Sequence, residues 1–118
     1  MSDAYELYQE GRARLRSGRN AQATVPLEKA KRLEPAKASI REALGIAYFR
    51  IRRFAEAESE FRAVLELSPT DHYAHYALAR SLEQQGHELE ARTHYRLAAS
   101  LNPGSAHYAR RAGRLEPG

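Results

Sequence analysis

Apolar and polar residues along this chain follow the three-and-four spacing of amphipathic helices, and the helices come in pairs. Ala4, Leu7, Tyr8, Gly11 and Leu15 mark one face of a helix over about residues 3–17. Gly18 interrupts that run, and Asn20 is placed to cap a second helix over about residues 21–34. Leu33-Glu34-Pro35 closes it, because a residue before proline is pushed out of the α region. The same reading predicts helices over about 37–51, 55–67, 71–85 and 88–101, and a short last one from Ser105 to Arg114.

These elements keep a fixed beat. Pro35, Pro69 and Pro103 recur at a spacing of 34, as do Ala23, Ala57 and Ala91. Asp3, Lys37, Asp71 and Ser105 repeat at the same interval, each where the first helix of a pair should start. Three of these four are good N-cap residues, and Asp3 with Glu6 makes a capping-box pattern. Lys37 offers no acceptor, so its helix should begin less cleanly. A 34-residue period is that of a helix–turn–helix unit whose apolar stripe is buried only against its neighbours. Such arrays hold partners far more often than they catalyse reactions.

The residues inside each period carry a resemblance. Leu44-Gly45, Tyr48, Ala57, Phe61 and Pro69 stand in the middle copy; Gly11, Ala23, Leu27, Ala30 and Pro35 stand in the first; Leu78, Ala79, Ala91, Tyr95, Ala98 and Pro103 stand in the third. The pattern resembles the tetratricopeptide repeat. It implies three tandem copies over about residues 4–37, 38–71 and 72–105 and a capping helix over about 105–114, so that 1–118 is one domain. The implied fold is all-α, a right-handed superhelical α-solenoid of three helix–turn–helix units. Close packing explains the small residues: Gly11, Gly45 and Ala79 let the paired helix approach, while Leu27, Phe61 and Tyr95 fill the space between. Departures are Leu7, Arg41 and His75 at the place of a frequent tryptophan, Arg14 at that of a tyrosine, and Pro26 inside a helix, where it should cause a slight bend.

The resemblance also implies that the first helix of each pair lines a concave wall. That wall would hold Tyr5, Tyr8, Arg12, Leu15 and Arg16, then Ser39, Glu42, Ile46, Phe49 and Arg50, then Tyr73, Tyr76, Arg80, Glu83 and Gln84, with His107, Arg110 and Arg114 from the last helix. Tyrosine and arginine are enriched at binding hot spots because they offer rigid planes and directional donors. A groove of Tyr5, Tyr8, Arg12, Arg16, Ile46, Phe49, Arg50, Tyr73, Tyr76, Arg80 and Arg110 suits a protein or peptide segment with apolar anchors and acidic groups. Any one of these tyrosines can equally serve packing between adjacent first helices. A subset of the family grips chaperone C-termini through lysine, asparagine and arginine; here the matching positions are Tyr8, Arg12, Ala43, Tyr73 and Ala77, which argues against that specificity.

Composition narrows the alternatives. The net charge is +4, with arginine dominating the 19 basic residues, which permits nucleic-acid binding through groove arginines and stacked tyrosines as a rival reading. Self-assembly through the groove or an open end is another. There is no cysteine for a disulfide or thiolate site, and no apolar run nears the roughly 20 residues a membrane span needs. The N-terminus lacks the pattern of a secretory signal, so a soluble cytoplasmic protein is expected. The ending Leu115-Glu116-Pro117-Gly118 is expected to finish the cap. His72 and His75 are three apart on one helix but have no evident third ligand, and they read as surface and inter-repeat residues. His94 has no partner that spacing reveals. Glu56, Glu58 and Glu60 read as a solvated face. No phosphate loop or nucleophile motif is present, so neither cofactor nor enzymatic activity is expected.

Overall fold

The computed structural model describes residues 3–114, and among them seven α-helices and no strand. They are α1 (Ala4–Arg16), α2 (Asn20–Leu33), α3 (Ala38–Arg50), α4 (Phe54–Leu67), α5 (His72–Gln84), α6 (Glu88–Leu101) and α7 (Ala106–Arg114). Each packs on its chain neighbours, and α1 also touches α3, giving an elongated α-solenoid of 55 × 24 × 21 Å. The expected ending Leu115–Gly118 and the expected groove position of the Arg114 side chain lie outside the described residues.

The turns repeat as faithfully as the helices. Within each pair, one backbone N–H reaches back five residues: Arg19 to Arg14, Arg53 to Tyr48 and His87 to Leu82, at 2.8–2.9 Å. This closure needs a left-handed residue just before it. Gly18 and Gly86 supply it at φ 78° and 83°, but the middle turn uses Arg52 at φ 66°. Between pairs, Lys37, Asp71 and Ser105 each donate a backbone N–H to the carbonyl three residues earlier, across the repeated proline. Asp3 and Asp71 then cap α1 and α5 through Glu6 N–H (2.8 Å) and Ala74 N–H (3.0 Å), and Ser105 Oγ accepts from Tyr108 N–H. Lys37 starts α3 without a side-chain cap, as expected. Asn20 does not cap α2; it is that helix's first residue, and Arg19 occupies the cap position without a side-chain bond.

Helix pairs meet where one backbone is bare. A Cβ added to Gly11 would lie 2.4 Å from Leu27 Cγ, and one added to Gly45 would lie 2.8 Å from the Phe61 ring. One period on, the matching residues Ala79 and Tyr95 are both buried. Ala23, Ala57 and Ala91 are wholly buried on the facing helices.

Polar groups staple the layers. Pro26 has no N–H for the Gln22 carbonyl one turn back, and the Arg14 guanidinium donates to that carbonyl at 2.9 Å. The arginine that departs from the repeat pattern thus compensates for the proline that also departs from it. Glu60 is not part of a solvated face. It is buried, and it accepts from Lys31 Nζ at 2.8 Å and Arg41 Nη1 at 3.1 Å, joining α2, α3 and α4. Glu58 is likewise engaged, accepting from Arg62 Nε and Gln85 Nε2.

Helix α7 covers the last pair, although the spacing of Ala109 and Ala112 alone would turn both of them inward. Ala112 turns inward, whereas Ala109 is exposed and Tyr108 is buried in its place. Arg111 lies over the Tyr95 ring at 5.3 Å and donates to Tyr95 Oη and Glu83, tying α7 to α5 and α6.

Two outcomes follow from this packing. Gly11→Ala should destabilise the fold by about 1–3 kcal/mol in denaturant titrations, the steric conflict outweighing alanine's helix preference of about 1 kcal/mol. Gly113→Ala, where a Cβ meets nothing within 4 Å, should be neutral or slightly stabilising. Equal effects at both sites would contradict the interlock. Removing residues 106–118 should lower the melting temperature and cause self-association, because the faces that Tyr108 and Ala112 cover become exposed. A truncated chain with unchanged melting temperature that stays monomeric would refute the capping role.

Candidate functional site

Because α1, α3 and α5 stand side by side, residues one period apart share one wall. Arg12, Ile46 and Arg80 form one such row, and Arg16, Arg50 and Gln84 another. Two hollows open along this wall. One, of about 660 Å³, is lined by Ile46, Phe49, Arg50, Tyr73, Tyr76 and Arg80 together with Asn20, Arg52, Phe54, Phe61, Ala77 and Gln84. The other, of about 310 Å³, is lined by Tyr8, Arg12, Leu15, Arg16, Ser39, Glu42 and Ala43 and shares Ile46 and Arg50 with the first. The two therefore run together as one groove.

Nine of the eleven sequence-selected residues line these hollows: Tyr8, Arg12, Arg16, Ile46, Phe49, Arg50, Tyr73, Tyr76 and Arg80. Two do not. Tyr5 is 67% exposed and lines a separate hollow beside Tyr8 and Ile40, and Arg110 sits exposed on α7. Asn20, Arg52, Phe54 and Phe61 come from the turns and second helices, which reasoning on first helices alone passed over. The signal was available for two of them. Asn20 and Phe54 are one period apart, and each is the first residue of a second helix, where the turn delivers it to the groove.

The aromatic residues serve two roles at once. Tyr73 is half-buried, its ring edge-on to Phe61 at 6.5 Å and 6.2 Å from Tyr76. Tyr76 stacks on Tyr108 at 5.1 Å, and its hydroxyl meets His107 Nε2 at 2.8 Å. Phe49 packs against Phe54 at 5.0 Å. These contacts hold the rings rigidly while one side of each still faces the hollow.

The arginines differ in freedom. Arg50 donates to the Leu15 carbonyl at 3.1 Å and to Asn20 Oδ1 at 3.3 Å, so it braces the end of α1 as well as lining the groove. Arg12 lies over the Tyr8 ring at 5.6 Å. Arg80 is held by rings. Its guanidinium sits 4.5 Å above Phe49 and 5.9 Å from Tyr76, and its buried Nε–H meets no acceptor within the protein. Glu42 interrupts the positive wall. Burial, reinforced by Asp71, pushes its carboxyl above the usual range, against the pull of Arg12.

The histidines separate. His72 Nδ1 meets Tyr108 Oη of α7 at 3.0 Å, whereas His75 meets His94 of α6. Among the described residues, no three or more His, Cys, Asp or Glu side chains gather as metal ligands would. No helix among them is long and apolar enough to cross a membrane.

The same architecture recurs in proteins of known structure. The chain superposes on the first tetratricopeptide-repeat domain of Spaghetti (RPAP3) bound to the HSP90 peptide SRMEEVD. The TM-score is 0.90 at 20% identity, over 96% of this chain and 90% of that one. MamA from Desulfovibrio magneticus RS-1 gives 0.92 at 23% identity, covering 96% of this chain and 64% of that one. The Yersinia enterocolitica type III secretion chaperone SycD, in complex with a peptide of the translocator YopD, gives 0.81 at 17% identity over 94% and 85%. These likenesses show the fold. No curated protein matches by sequence. The sequence profile described as tetratricopeptide repeat matches residues 8–72 and again 42–106. The chain therefore belongs to the tetratricopeptide-repeat family.

Proposed function

We propose that this protein is a non-catalytic adaptor that holds a protein or peptide segment in the groove of α1, α3 and α5. The segment carries apolar anchors and acidic side chains. One observation carries this reading: Arg80, its guanidinium held over Phe49, lines the 660 Å³ hollow. A guanidinium fixed by a ring is organised in advance for a carboxylate, and the neighbouring rings of Phe49, Phe54, Tyr73 and Tyr76 offer apolar surface for an anchor. Arg12 and Arg16 extend the positive wall toward α1, where further acidic residues of the segment would lie. That two structural neighbours hold peptides supports the reading. The resemblance argues against a chaperone-tail clamp, since of the matching positions Tyr8, Arg12, Ala43, Tyr73 and Ala77 only Arg12 keeps a carboxylate-binding type.

The test is a peptide array that pairs one aromatic or aliphatic anchor with aspartate or glutamate at varied spacing. Arg80→Met and Arg12→Glu should each weaken the peptides that bind by about tenfold, near 1.4 kcal/mol, with melting curves showing an intact fold. Arg32→Glu, an exposed position on α2, should change little. Binding that survives both groove variants but is lost in Arg32→Glu would move the site to the outer surface. Preferential binding of RNA with a steep salt dependence would replace the reading altogether.

A further inference from the structure

On the side of α5 away from the groove, one packing position is filled differently in each helix pair. In the middle pair, Arg41 Nε donates to the Pro35 carbonyl at 2.9 Å while its Nη1 meets buried Glu60. The same two positions one period later hold His75 and His94, and one period earlier Leu7 and Pro26. The histidine pair copies the geometry of the ion pair. His75 Nε2 lies 2.9 Å from the Pro69 carbonyl, and its Nδ1 lies 3.0 Å from His94 Nδ1. The rings are 21° from parallel with centroids 5.3 Å apart. His75 is buried and His94 half-buried.

The Pro69 carbonyl can only accept, so His75 Nε2 carries a hydrogen. A neutral His75 then has its lone pair on Nδ1, and His94 Nδ1–H must be the donor across the pair. A first added proton can go to His94 Nε2 without disturbing this bond. A second would place N–H against N–H across the same short contact between two cations, and the contact would have to open.

The surroundings do little to soften this. From α4, Arg62 and Glu66 line the same hollow; from α6, Glu90 lies one turn before His94; at the start of α5, the Asp71 carbonyl accepts the His75 backbone N–H. Arg62 is itself held by Glu58 at 2.8 Å and Glu90 at 2.6 Å, and Leu65 and Leu78 complete the walls. Burial, then His75 and Arg62, hold the His94 imidazole below its ordinary value, with Glu90 opposing. The other histidines lack this conflict. His72 and His107 meet tyrosine hydroxyls, which can accept from a protonated ring, and His87 is exposed at the start of α6.

We propose that the His75–His94 pair is an acid-sensitive latch between α5 and α6, closed with at most one added proton and released by the second. In the unfolded chain both rings protonate near pH 6.5. The closed pair binds fewer protons below that pH, so stability is complete above about pH 7 and falls as the pH drops through 6.5. The middle pair is built from arginine and glutamate, residue types that ordinarily titrate outside this range.

Denaturant titrations between pH 8 and pH 5 test this on the whole chain, comparing wild type with the double variant His75→Arg/His94→Glu, which imports the pair from α3 and α4. Below pH 6.5 the wild-type unfolding constant should rise more steeply than that of the double variant, by up to about tenfold per pH unit. His72→Gln should follow wild type. The same slope in wild type and double variant would overturn the latch. If the double variant does not fold, ring-proton NMR of the unaltered chain decides. One ring of the pair should stay neutral well below the pH at which a free imidazole takes up its proton. Both rings titrating near 6.5 with α5 and α6 amide signals unmoved would overturn the proposal.

Discussion

Helices α1 and α2, and again α3 and α4, meet where a bare stretch of backbone on one helix faces a large side chain on its partner. Leu27 sits on Gly11 and Phe61 on Gly45, and the matching residues one period on, Ala79 and Tyr95, are both buried. At the two glycine sites there is no room for one more methyl group without moving the neighbour. The interlock fixes the separation and register of each helix pair. Repeated once per period, it brings α1, α3 and α5 side by side. The groove follows from that alignment, because it places Arg12, Ile46 and Arg80 in one row although each lies a full period from the next along the chain.

Period and chemistry were not equally legible in the sequence. Small residues, prolines and caps repeat as residue types, so the helices and their order could be read to within a residue or two. Three features lacked a type to read. The left-handed position repeats at 18, 52 and 86, but Arg52 hides it where a glycine would have marked it. Glu60 resembles its neighbours Glu56 and Glu58 in sequence, and only the approach of Lys31 and Arg41 from two other helices makes burial of its charge tolerable. Tyr108, not Ala109, faces inward because α7 is held by Arg111 against Glu83 and Tyr95, contacts that its own periodicity does not contain. The wall residues were readable because they share positions across repeats. The contribution of Phe54 and Asn20 comes from the turns, and the dual role of Tyr76 comes from α7 folding back onto it.

Helix α5 joins the two functional readings. Tyr73, Tyr76 and Arg80 project to the groove, while His75 faces Pro69 and His94 on the other side. The position shared by Leu7, Arg41 and His75 tolerates apolar, ionic and titratable solutions because its neighbour on the second helix changes with it, to Pro26, Glu60 and His94. The scaffold constrains volume at such a place, and the pair of residues chosen sets the response to pH. Groove and latch are therefore separable properties of one repeated frame.

The interlock itself is tested most directly by a double-mutant cycle between Gly45→Ala and Phe61→Leu, read as unfolding free energies. If the methyl group conflicts with the Phe61 ring, Gly45→Ala should cost about 1–3 kcal/mol in the wild-type background and much less beside leucine, a coupling of at least about 1 kcal/mol. Additive losses, with the alanine costing the same in both backgrounds, would show that the bare backbone at Gly45 does not set the approach of α3 and α4.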